Sequence, residues 1–236
     1  GIYSAGIEEP NALITLGSDD RLEPNVPATV VELYDGLVAT SQNRWPSLNI
    51  DMMSVTGLLS KVFSAGFYYK TFMGPTRKSW MFYEHFIRKA AGLGDAPSKP
   101  DPDYYEKSDA FCDVLVVGSG PSGLMAALTA GRYGARVILV EDDFELGGSL
   151  LARSHEGQID SWLVAIIAEL ESIPNIRIMR RTCVFGAYDN LIFGLVERVN
   201  EYPTDAESFQ PRQRYWVVRA RQAIIATGMI ERPIIF

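Results

Sequence analysis

The sequence predicts an α/β fold: a doubly wound, Rossmann-like sheet with an antiparallel meander, preceded by a small α+β module. Two observations predict it. Apolar strands alternate with amphipathic helices after residue 111, which is typical of a parallel sheet with helices packed against it. A Gly-x-Gly-x-x-Gly motif at residues 118–123 joins the first of these strands to its helix, as in dinucleotide-binding folds. We therefore expect a nucleotide-binding sheet in the second half of the chain.

The composition is that of a globular protein. The chain has 236 residues, of which 47% are hydrophobic and 22% charged, so disordered and low-complexity classes are excluded. The net charge of −7 argues against nucleic acid as a partner, because binding to a phosphate backbone needs a basic face. Two cysteines are too few for a four-thiolate metal site and favour a reducing, cytoplasmic compartment. We expect Cys112 and Cys183 to be small buried residues.

The sequence predicts neither a membrane span nor a secretory leader. The longest uncharged stretch, residues 114–131, is interrupted by the glycine motif, which argues against a continuous helix. No basic segment followed by an apolar core opens the chain. The first residue is not Met and the last residues directly follow an apolar strand, so we expect a fragment of a longer polypeptide.

The part of the chain before the glycine motif predicts a small module and a linker. A strand is expected at residues 11–16, and apolar spacing predicts helices at residues 30–39 and 79–91. The aromatic residues at 66–73 are typical of core or interface packing. Three prolines among alternating charges at residues 96–103 favour an extended backbone. The predicted organisation is a module at residues 1–95, a linker at 96–110 and a dinucleotide-binding domain at 111–236.

Strands and helices alternate in the predicted dinucleotide-binding domain. Continuous apolar runs at residues 114–117 and 137–140 predict strands buried on both faces, joined by an alanine-rich helix at 124–133. An amphipathic helix at 159–170 and a strand at 176–178 continue this pattern. The remaining predicted strands are an antiparallel meander at residues 184–188, 191–199 and 215–220, and a buried strand at 223–226.

The glycine motif has the context that a phosphate cradle needs. Gly118 permits the tight turn after the strand, Gly120 lets the backbone approach a pyrophosphate, and Gly123 lets helix and strand pack closely. The N–H groups at the start of the helix favour an anion. Glu141 follows the second strand, roughly 20 positions after the motif, where a carboxylate accepts hydrogen bonds from the adenosine ribose.

The residues after the second strand favour NAD or FAD over NADP. A 2′-phosphate would meet Glu141, Asp142 and Asp143 together, and we expect no arginine to offset their charge. The same motif can hold the ADP half of FAD, so an FAD-dependent NADH reductase is an alternative. That enzyme needs a second dinucleotide motif, which this chain does not contain. A non-catalytic assembly subunit with structural NAD is a third hypothesis.

Further residues complete the predicted cofactor site. The backbone at Gly148 and Ser149 can close over the phosphates or ribose, and Val184 can cover an adenine face. Thr227 and Gly228 end a strand at the carboxyl edge, where open α/β sheets bind ligands. Neither catalytic residues nor metal ligands are predicted, because no nucleophile–histidine arrangement can be assembled around the two histidines. The candidate cofactor-binding residues are Gly118, Gly120, Pro121, Ser122, Gly123, Glu141, Asp142, Asp143, Gly148, Ser149, Val184, Thr227 and Gly228.

Four strings of the sequence have no structural reason to recur in unrelated proteins. They are GIYSAGIEEPNAL at residues 1–13, SQNRWPS at 41–47, GFYYK at 66–70 and CDVLVVG at 112–118. They resemble the N-terminal part of the alpha subunit of heterotetrameric sarcosine oxidases, and the similarity runs through essentially the whole chain. Subunits of opine oxidase and hydrogen cyanide synthase share parts of this layout.

The resemblance implies a fold and a function for the complete enzyme. Residues 1–95 would form a ferredoxin-like module without cluster cysteines, before a domain of the kind found in flavoproteins with two dinucleotide-binding domains. The family oxidises sarcosine to glycine, releases hydrogen peroxide and passes the methyl carbon to tetrahydrofolate. The implied cofactors are NAD on this chain, FAD in the beta subunit and FMN at the alpha–beta interface. The implied NAD contacts are Ser122, Glu141, Asp142, Asp143, Ser149 and Val184.

The resemblance also implies partners that this chain needs. These are the beta, gamma and delta subunits of a cytoplasmic hetero-oligomer. The folate-binding domain belongs to a later part of the alpha subunit, outside the 236 residues. We therefore expect the fragment alone to be inactive.

Overall fold

The structure, a computed structural model, describes residues 12–18, 21–42, 44, 47, 49–50, 79–95, 99–152, 161–200 and 209–229. It divides the chain into two compact units. The first is Gly1–Pro102 with Glu231–Phe236, and the second is Asp103–Ile230. The aromatic segment predicted to pack at residues 66–73 lies outside the described residues.

The first unit contains a small antiparallel sheet. Its strands are β1 (Leu13–Leu16), β2 (Glu23–Pro27) and β3 (Ala39–Ser41), in the order β2-β1-β3. Helix α1 spans Ser79–Ala90 and ends at Gly92, whose φ of +74° is the left-handed conformation of a helix C-terminus. The strand predicted at residues 11–16 and the helix predicted at 79–91 are therefore present. The ferredoxin-like fold of this unit stays a prediction.

The helix predicted at residues 30–39 is wrong. The chain forms a short 3₁₀ turn at Ala28–Val30, a turn at residues 35–36 and then strand β3. Gly36 has a φ of +83°, which a right-handed helix cannot contain. Two of the apolar residues that suggested a helical stripe are exposed, Leu33 at 85% and Val38 at 50%. Their spacing therefore reflects no buried face, and the Asp-Gly pair was the better signal of a turn.

In the second unit, strands and helices alternate as predicted. In chain order the described elements are β4 (Tyr105–Val117), α2 (Pro121–Arg132), β5 (Val137–Val140), α3 (Ser149–Ala152), α4 (Ser161–Ser172), β6 (Ile176–Met179), β7 (Thr182–Tyr188), β8 (Ile192–Arg198) and β9 (Gln213–Ile225).

These strands form one mixed sheet. Their order is β6-β5-β4-β9-β8-β7. Strands β6, β5, β4 and β9 pair in parallel, while β8 pairs antiparallel with both β9 and β7. The predicted Rossmann-like α/β fold with an antiparallel meander is therefore confirmed.

The sheet separates two apolar clusters. One lies under α2 and α4, where Leu124 is 0% and Leu163 is 2% exposed, and each such side chain contributes roughly 1.5–3 kcal/mol on burial. The other cluster is built from strand residues, with Leu115 and Trp216 among them. Among the described residues the helices thus pack on one face, whereas a doubly wound sheet has helices on both.

Two strands are longer than predicted. β4 begins at Tyr105, inside residues 96–110 that the sequence analysis assigns to the linker. β9 is one continuous strand, where the sequence predicts separate strands at 215–220 and 223–226. The first half of β4 alternates exposed and half-buried residues, so it lacks the continuous apolar run that marks residues 114–117.

Three parallel strands end at the same edge of the sheet. Val117 at the end of β4 pairs with Val140 of β5 and with Ile225 of β9. The glycine motif, the acidic segment and residues 226–228 follow these three positions directly. The carboxyl edge of an open α/β sheet is where ligands bind, so the fold brings the predicted site together.

Candidate functional site

A cavity of about 830 Å³ lies at this edge of the sheet, within the range of about 300–1,000 Å³ typical of small-molecule sites. Backbone hydrogen bonds fix the loops around it. Gly118 N donates to Val140 O at 2.8 Å, and Ala226 N donates to Val117 O at 2.8 Å. The predicted site residues that line the cavity are Gly118, Gly120, Pro121, Ser122, Glu141, Asp142, Gly148, Ser149, Val184, Thr227 and Gly228.

The three glycines of the motif have different surroundings. Gly118 has a φ of +97°, and a Cβ there would lie 2.5 Å from the carbonyl oxygen of Ala226. A Cβ on Gly123 would overlap with the carbonyl oxygen of Gly118, whereas a Cβ on Gly120 would meet nothing within 4 Å. Gly118 and Gly123 therefore permit close packing of the chain, while Gly120 leaves open space at the cavity for a ligand group.

The start of α2 lies at the cavity. Gly120 precedes the helix and has no side chain that could cap its first turn. Pro121 occupies the first helical position, where the missing N–H is not needed. The first N–H groups and the partial positive charge of the helix end are therefore available for a phosphate.

Glu141 is held in place through both its backbone and its side chain. Its N–H donates to Met179 O at 2.9 Å, and its carbonyl accepts from Thr182 N at 2.8 Å. Carboxylate Oε2 accepts from Ser119 N at 2.8 Å and from Ser119 Oγ at 2.5 Å. Oε1 accepts from Asp143 N at 3.1 Å. This fixed carboxylate lines the cavity, as an acceptor for ribose hydroxyls requires.

Ser119 is a part of the site that the sequence analysis missed. It is fully buried, and besides its bonds to Glu141 its Oγ accepts from Gly147 N at 3.2 Å. Its position is variable in the glycine motif, so the motif carries no signal for it. Gly148, which follows Gly147 in the chain, is also close to the motif, because a Cβ there would lie 3.1 Å from Gly120 Cα.

Gly123 and Asp143 do not line the cavity. Gly123 lies behind it, in the packing between helix and strand. The Asp143 carboxylate accepts from Phe144 N at 2.7 Å, and its carbonyl accepts from Arg181 N at 3.0 Å. Asp143 thus shapes the loop and reaches the site through the N–H that it donates to Glu141.

The expectation that no arginine offsets the acidic segment is wrong. Arg198, at the end of β8, donates to the carbonyl oxygen of Asp142. Its guanidinium also lies 3.4 Å from Asp142 Oδ1. The two residues are 56 positions apart, and the pairing of β7 with β8 brings them together. The sequence pattern near Asp142 therefore held no sign of this cation.

The two cysteines have different environments. Cys112 is buried as predicted, and burial raises the pKa of its thiol to about 11. The prediction that Cys183 is buried is wrong, since it is exposed and lines the cavity. Partial burial and the nearby Asp142 raise the pKa of the Cys183 thiol, which disfavours the nucleophilic thiolate.

The cavity lining also contains residues that the sequence pattern did not single out. Besides the predicted Val184, these are the apolar Ile224, Ile225 and Met229, and also Thr182 and Cys183. Within the described residues, three or more His, Cys, Asp or Glu side chains nowhere gather in a group that could hold a metal ion. Nor does that part of the chain include a helix long and apolar enough to cross a membrane.

A protein-family model matches part of the second unit. Residues 113–188 match the family model described as FAD dependent oxidoreductase. These residues contain the end of β4, the glycine motif, β5 and Glu141. Among solved structures, L-proline dehydrogenase from P. horikoshii matches with a TM-score of 0.40 and 20% identity, over 60% of this chain and 27% of that chain.

The similarity to curated proteins extends over the whole chain. Sarcosine oxidase subunit alpha of Rhizobium meliloti (strain 1021) is 53% identical over 100% of this chain and 24% of its own length. The subunit of the same name from Corynebacterium sp. (strain U-96) is 36% identical over 100% of this chain and 20% of its own length. The chain thus spans between a fifth and a quarter of these relatives. The resemblance found in the sequence is confirmed: over its whole length, the chain is similar to a part of sarcosine oxidase alpha subunits.

Proposed function

We propose that this chain is the NAD-binding part of the alpha subunit of a hetero-oligomeric sarcosine oxidase. The cavity at the carboxyl edge of β4, β5 and β9 holds the dinucleotide. The pyrophosphate lies against Gly120 and the start of α2, and the adenosine ribose lies against Glu141. The observation that carries this proposal is the open space next to Gly120, in front of the uncapped start of α2.

The charges around the ribose favour NAD over NADP. Glu141 and Asp142 both line the cavity, and a 2′-phosphate next to these two carboxylates would be repelled. Arg198 reduces this repulsion only in part, since its guanidinium is paired with Asp142. The uncharged ribose hydroxyls of NAD suit an anionic acceptor.

FAD in the same cavity is the second candidate. The observation in its favour is the match of residues 113–188 to a family of FAD-dependent oxidoreductases. The ADP half of FAD would make the same contacts with the glycine motif and Glu141 as the ADP half of NAD. The two candidates differ in the group beyond the second phosphate, so chemical identification of the nucleotide decides between them.

The complete enzyme that we propose carries out flavin chemistry outside this chain. In that enzyme sarcosine would be oxidised at FAD in a beta subunit, and FMN would lie between the alpha and beta subunits. The electrons would pass to molecular oxygen, which becomes hydrogen peroxide, and the amine product would be glycine. Gamma and delta subunits complete the assembly, and tetrahydrofolate accepts the methyl carbon. The role of the present residues is to bind the dinucleotide and hold it at the edge of the sheet. The basis is the resemblance to the alpha subunits, which the full-chain similarity supports.

The test is the nucleotide content of the full-length protein purified with its partner subunits. After denaturation, liquid chromatography with mass spectrometry should find NAD together with FAD and FMN. The variant Gly120→Ala should lose NAD and keep both flavins, because its Cβ would stand in the space that the pyrophosphate needs. Ser172→Ala, which removes an exposed hydroxyl bond at the end of α4, should keep all three nucleotides. Loss of FAD instead of NAD from Gly120→Ala would assign this cavity to FAD.

A further inference from the structure

The Ser119 hydroxyl has a function that the glycine motif does not explain. We propose that Ser119 is a positioning residue, which fixes the Glu141 carboxylate so that its Oε1 accepts the hydrogen bond from the adenosine 2′-hydroxyl. This inference rests on the proposed nucleotide site, but it concerns the ADP half alone. It therefore applies to NAD and FAD alike.

The hydrogen bonds divide the two carboxylate oxygens of Glu141 into different roles. A carboxylate oxygen offers about two lone-pair sites. Oε2 receives two donors, Ser119 N at 2.8 Å and Ser119 Oγ at 2.5 Å. Oε1 receives one donor, Asp143 N at 3.1 Å. The acceptor site that is left for a ribose hydroxyl is therefore on Oε1.

The direction of the Ser119 proton follows from its other partner. A hydroxyl has one proton to donate and lone pairs that accept. Gly147 N donates to Ser119 Oγ at 3.2 Å, so this side of the oxygen acts as acceptor. The hydroxyl proton is then directed to Glu141 Oε2. Because Ser119 is fully buried, water does not compete for this bond, and the bond is stronger than it would be at the surface.

A carboxylate that is fixed before the nucleotide arrives improves binding. A glutamate side chain has three rotatable torsions, and ordering such a side chain on binding lowers affinity. Ser119 orders Glu141 in the free protein, so this cost is met during folding. Removal of the hydroxyl should therefore weaken the ribose contact and leave the phosphate contacts unchanged.

A purely structural role for Ser119 predicts a different result. Ser119 also holds Gly147, since both its Oγ and its carbonyl oxygen accept from Gly147 N. The next residue, Gly148, lies against Gly120. If Ser119 served only to hold this loop, its loss would disturb the phosphate cradle and weaken every adenine nucleotide alike.

The experiment compares ADP with 2′-deoxy-ADP on the nucleotide-free full-length protein, by isothermal titration calorimetry. The wild type should bind ADP more tightly than 2′-deoxy-ADP. Ser119→Ala should weaken ADP up to about tenfold, because the flexible Glu141 side chain must then be ordered when the nucleotide binds. It should change the affinity for 2′-deoxy-ADP by less than about twofold. Ser172→Ala is the matched control, because it removes a hydroxyl bond of 2.6 Å to Glu169 O and should alter neither affinity.

A second variant covers the case in which Ser119→Ala does not fold. Ser119→Cys keeps the shape of the side chain with a somewhat larger sulfur atom and replaces the hydroxyl with a weak donor, so it should show the same selective loss for ADP. Equal losses for the two nucleotides, or no loss for ADP, would overturn the positioning role. So would a wild type that binds ADP and 2′-deoxy-ADP equally. A wild type that binds ADP and shows the selective loss in Ser119→Ala, but does not bind NAD, supports the role of Ser119 and overturns the proposed function.

Discussion

Gly120 and Gly123 are three positions apart in the glycine motif. A methyl group added by alanine should affect nucleotide binding at Gly120 and folding at Gly123. We expect Gly120→Ala to weaken NAD binding with little effect on unfolding, because its Cβ would meet no protein atom within 4 Å. Gly123→Ala should destabilise the protein by roughly 1–3 kcal/mol or more, because its Cβ would overlap with the Gly118 carbonyl. Calorimetric titration with NAD and thermal unfolding of the full-length protein measure the two effects.

The two alanine variants serve as controls for each other. A folded Gly120→Ala variant with wild-type affinity for NAD would contradict the phosphate cradle. A Gly123→Ala variant with wild-type thermal stability would contradict the close contact between α2 and the end of β4.

A second prediction concerns the negative charge of the Glu141 side chain. We expect Glu141→Gln to reduce NAD affinity by roughly 1–3 kcal/mol, the range for losing a charge-assisted hydrogen bond. Glutamine keeps the shape of the side chain, but its amide group is a donor on one side. In place of Oε1, that donor would face the N–H of Asp143 and the ribose hydroxyl. In place of Oε2, it would face the N–H and the hydroxyl of Ser119. Titration of NAD against wild type and variant measures the change, and equal affinities would show that Glu141 does not bind the ribose.

The preference for NAD that we propose depends on two elements, the loop after β5 and the end of β8. Arg198 pairs with Asp142 at 3.4 Å, so the charge of its guanidinium is balanced by a carboxylate that lines the cavity. Asp142→Asn removes a repulsive carboxylate and releases the guanidinium from this ion pair. We expect the affinity for NADP relative to NAD to rise about tenfold, since guanidinium groups bind phosphate well.

The control for this prediction is the double variant Asp142→Asn/Arg198→Gln. It should lose the gain in NADP affinity, because the guanidinium is absent. Titrations of NAD and NADP in one buffer at low salt give the ratio for each protein. A NADP-to-NAD ratio that stays at the wild-type value in Asp142→Asn would rule out Arg198 as a phosphate ligand.

The elements that the sequence predicted well are those buried on both faces. Residues 137–140 form β5 with all four side chains buried, and a continuous apolar run marks such a strand without knowledge of its neighbours. The first half of β4 has only one half-buried face, and its backbone pairs with β9, more than 100 positions later. Local pattern could not show that pairing. In the first unit, the apolar spacing at residues 30–39 had no core to face, and Gly36 set the turn.

The difference between local pattern and distant pairing applies to the site as well. The position of Glu141 at the cavity could be predicted because it depends on a short strand–turn–helix–strand unit, in which each step has a known length. Ser119 and Arg198 were missed because their contacts with Glu141 and Asp142 span 22 and 56 positions. The β4–β5 pair creates the first contact and the β7–β8 hairpin the second. Residues that orient or neutralise a predicted side chain are therefore visible only in the folded chain.

At the scale of the whole molecule, the nucleotide contacts that we propose fall in one of the two units, Asp103–Ile230. Hydrogen exchange with mass spectrometry tests this location directly. Adding NAD at 100 times its dissociation constant stabilises the bound form by about 2.7 kcal/mol, which slows exchange through opening of the site up to roughly a hundredfold. Peptides that contain residues 118–123, 141–149, 182–184 and 226–229 should gain protection.

Peptides that contain β1, β2 and β3 should exchange at the same rate with and without NAD, because these strands belong to the first unit. ADP should reproduce the protection at residues 118–123 and 141–149, since the glycine motif and Glu141 bind the ADP half. Protection at residues 226–229 that NAD gives and ADP does not would place the nicotinamide half against the end of β9. Protection confined to the β1–β3 peptides would place the dinucleotide in the first unit and contradict the proposed site.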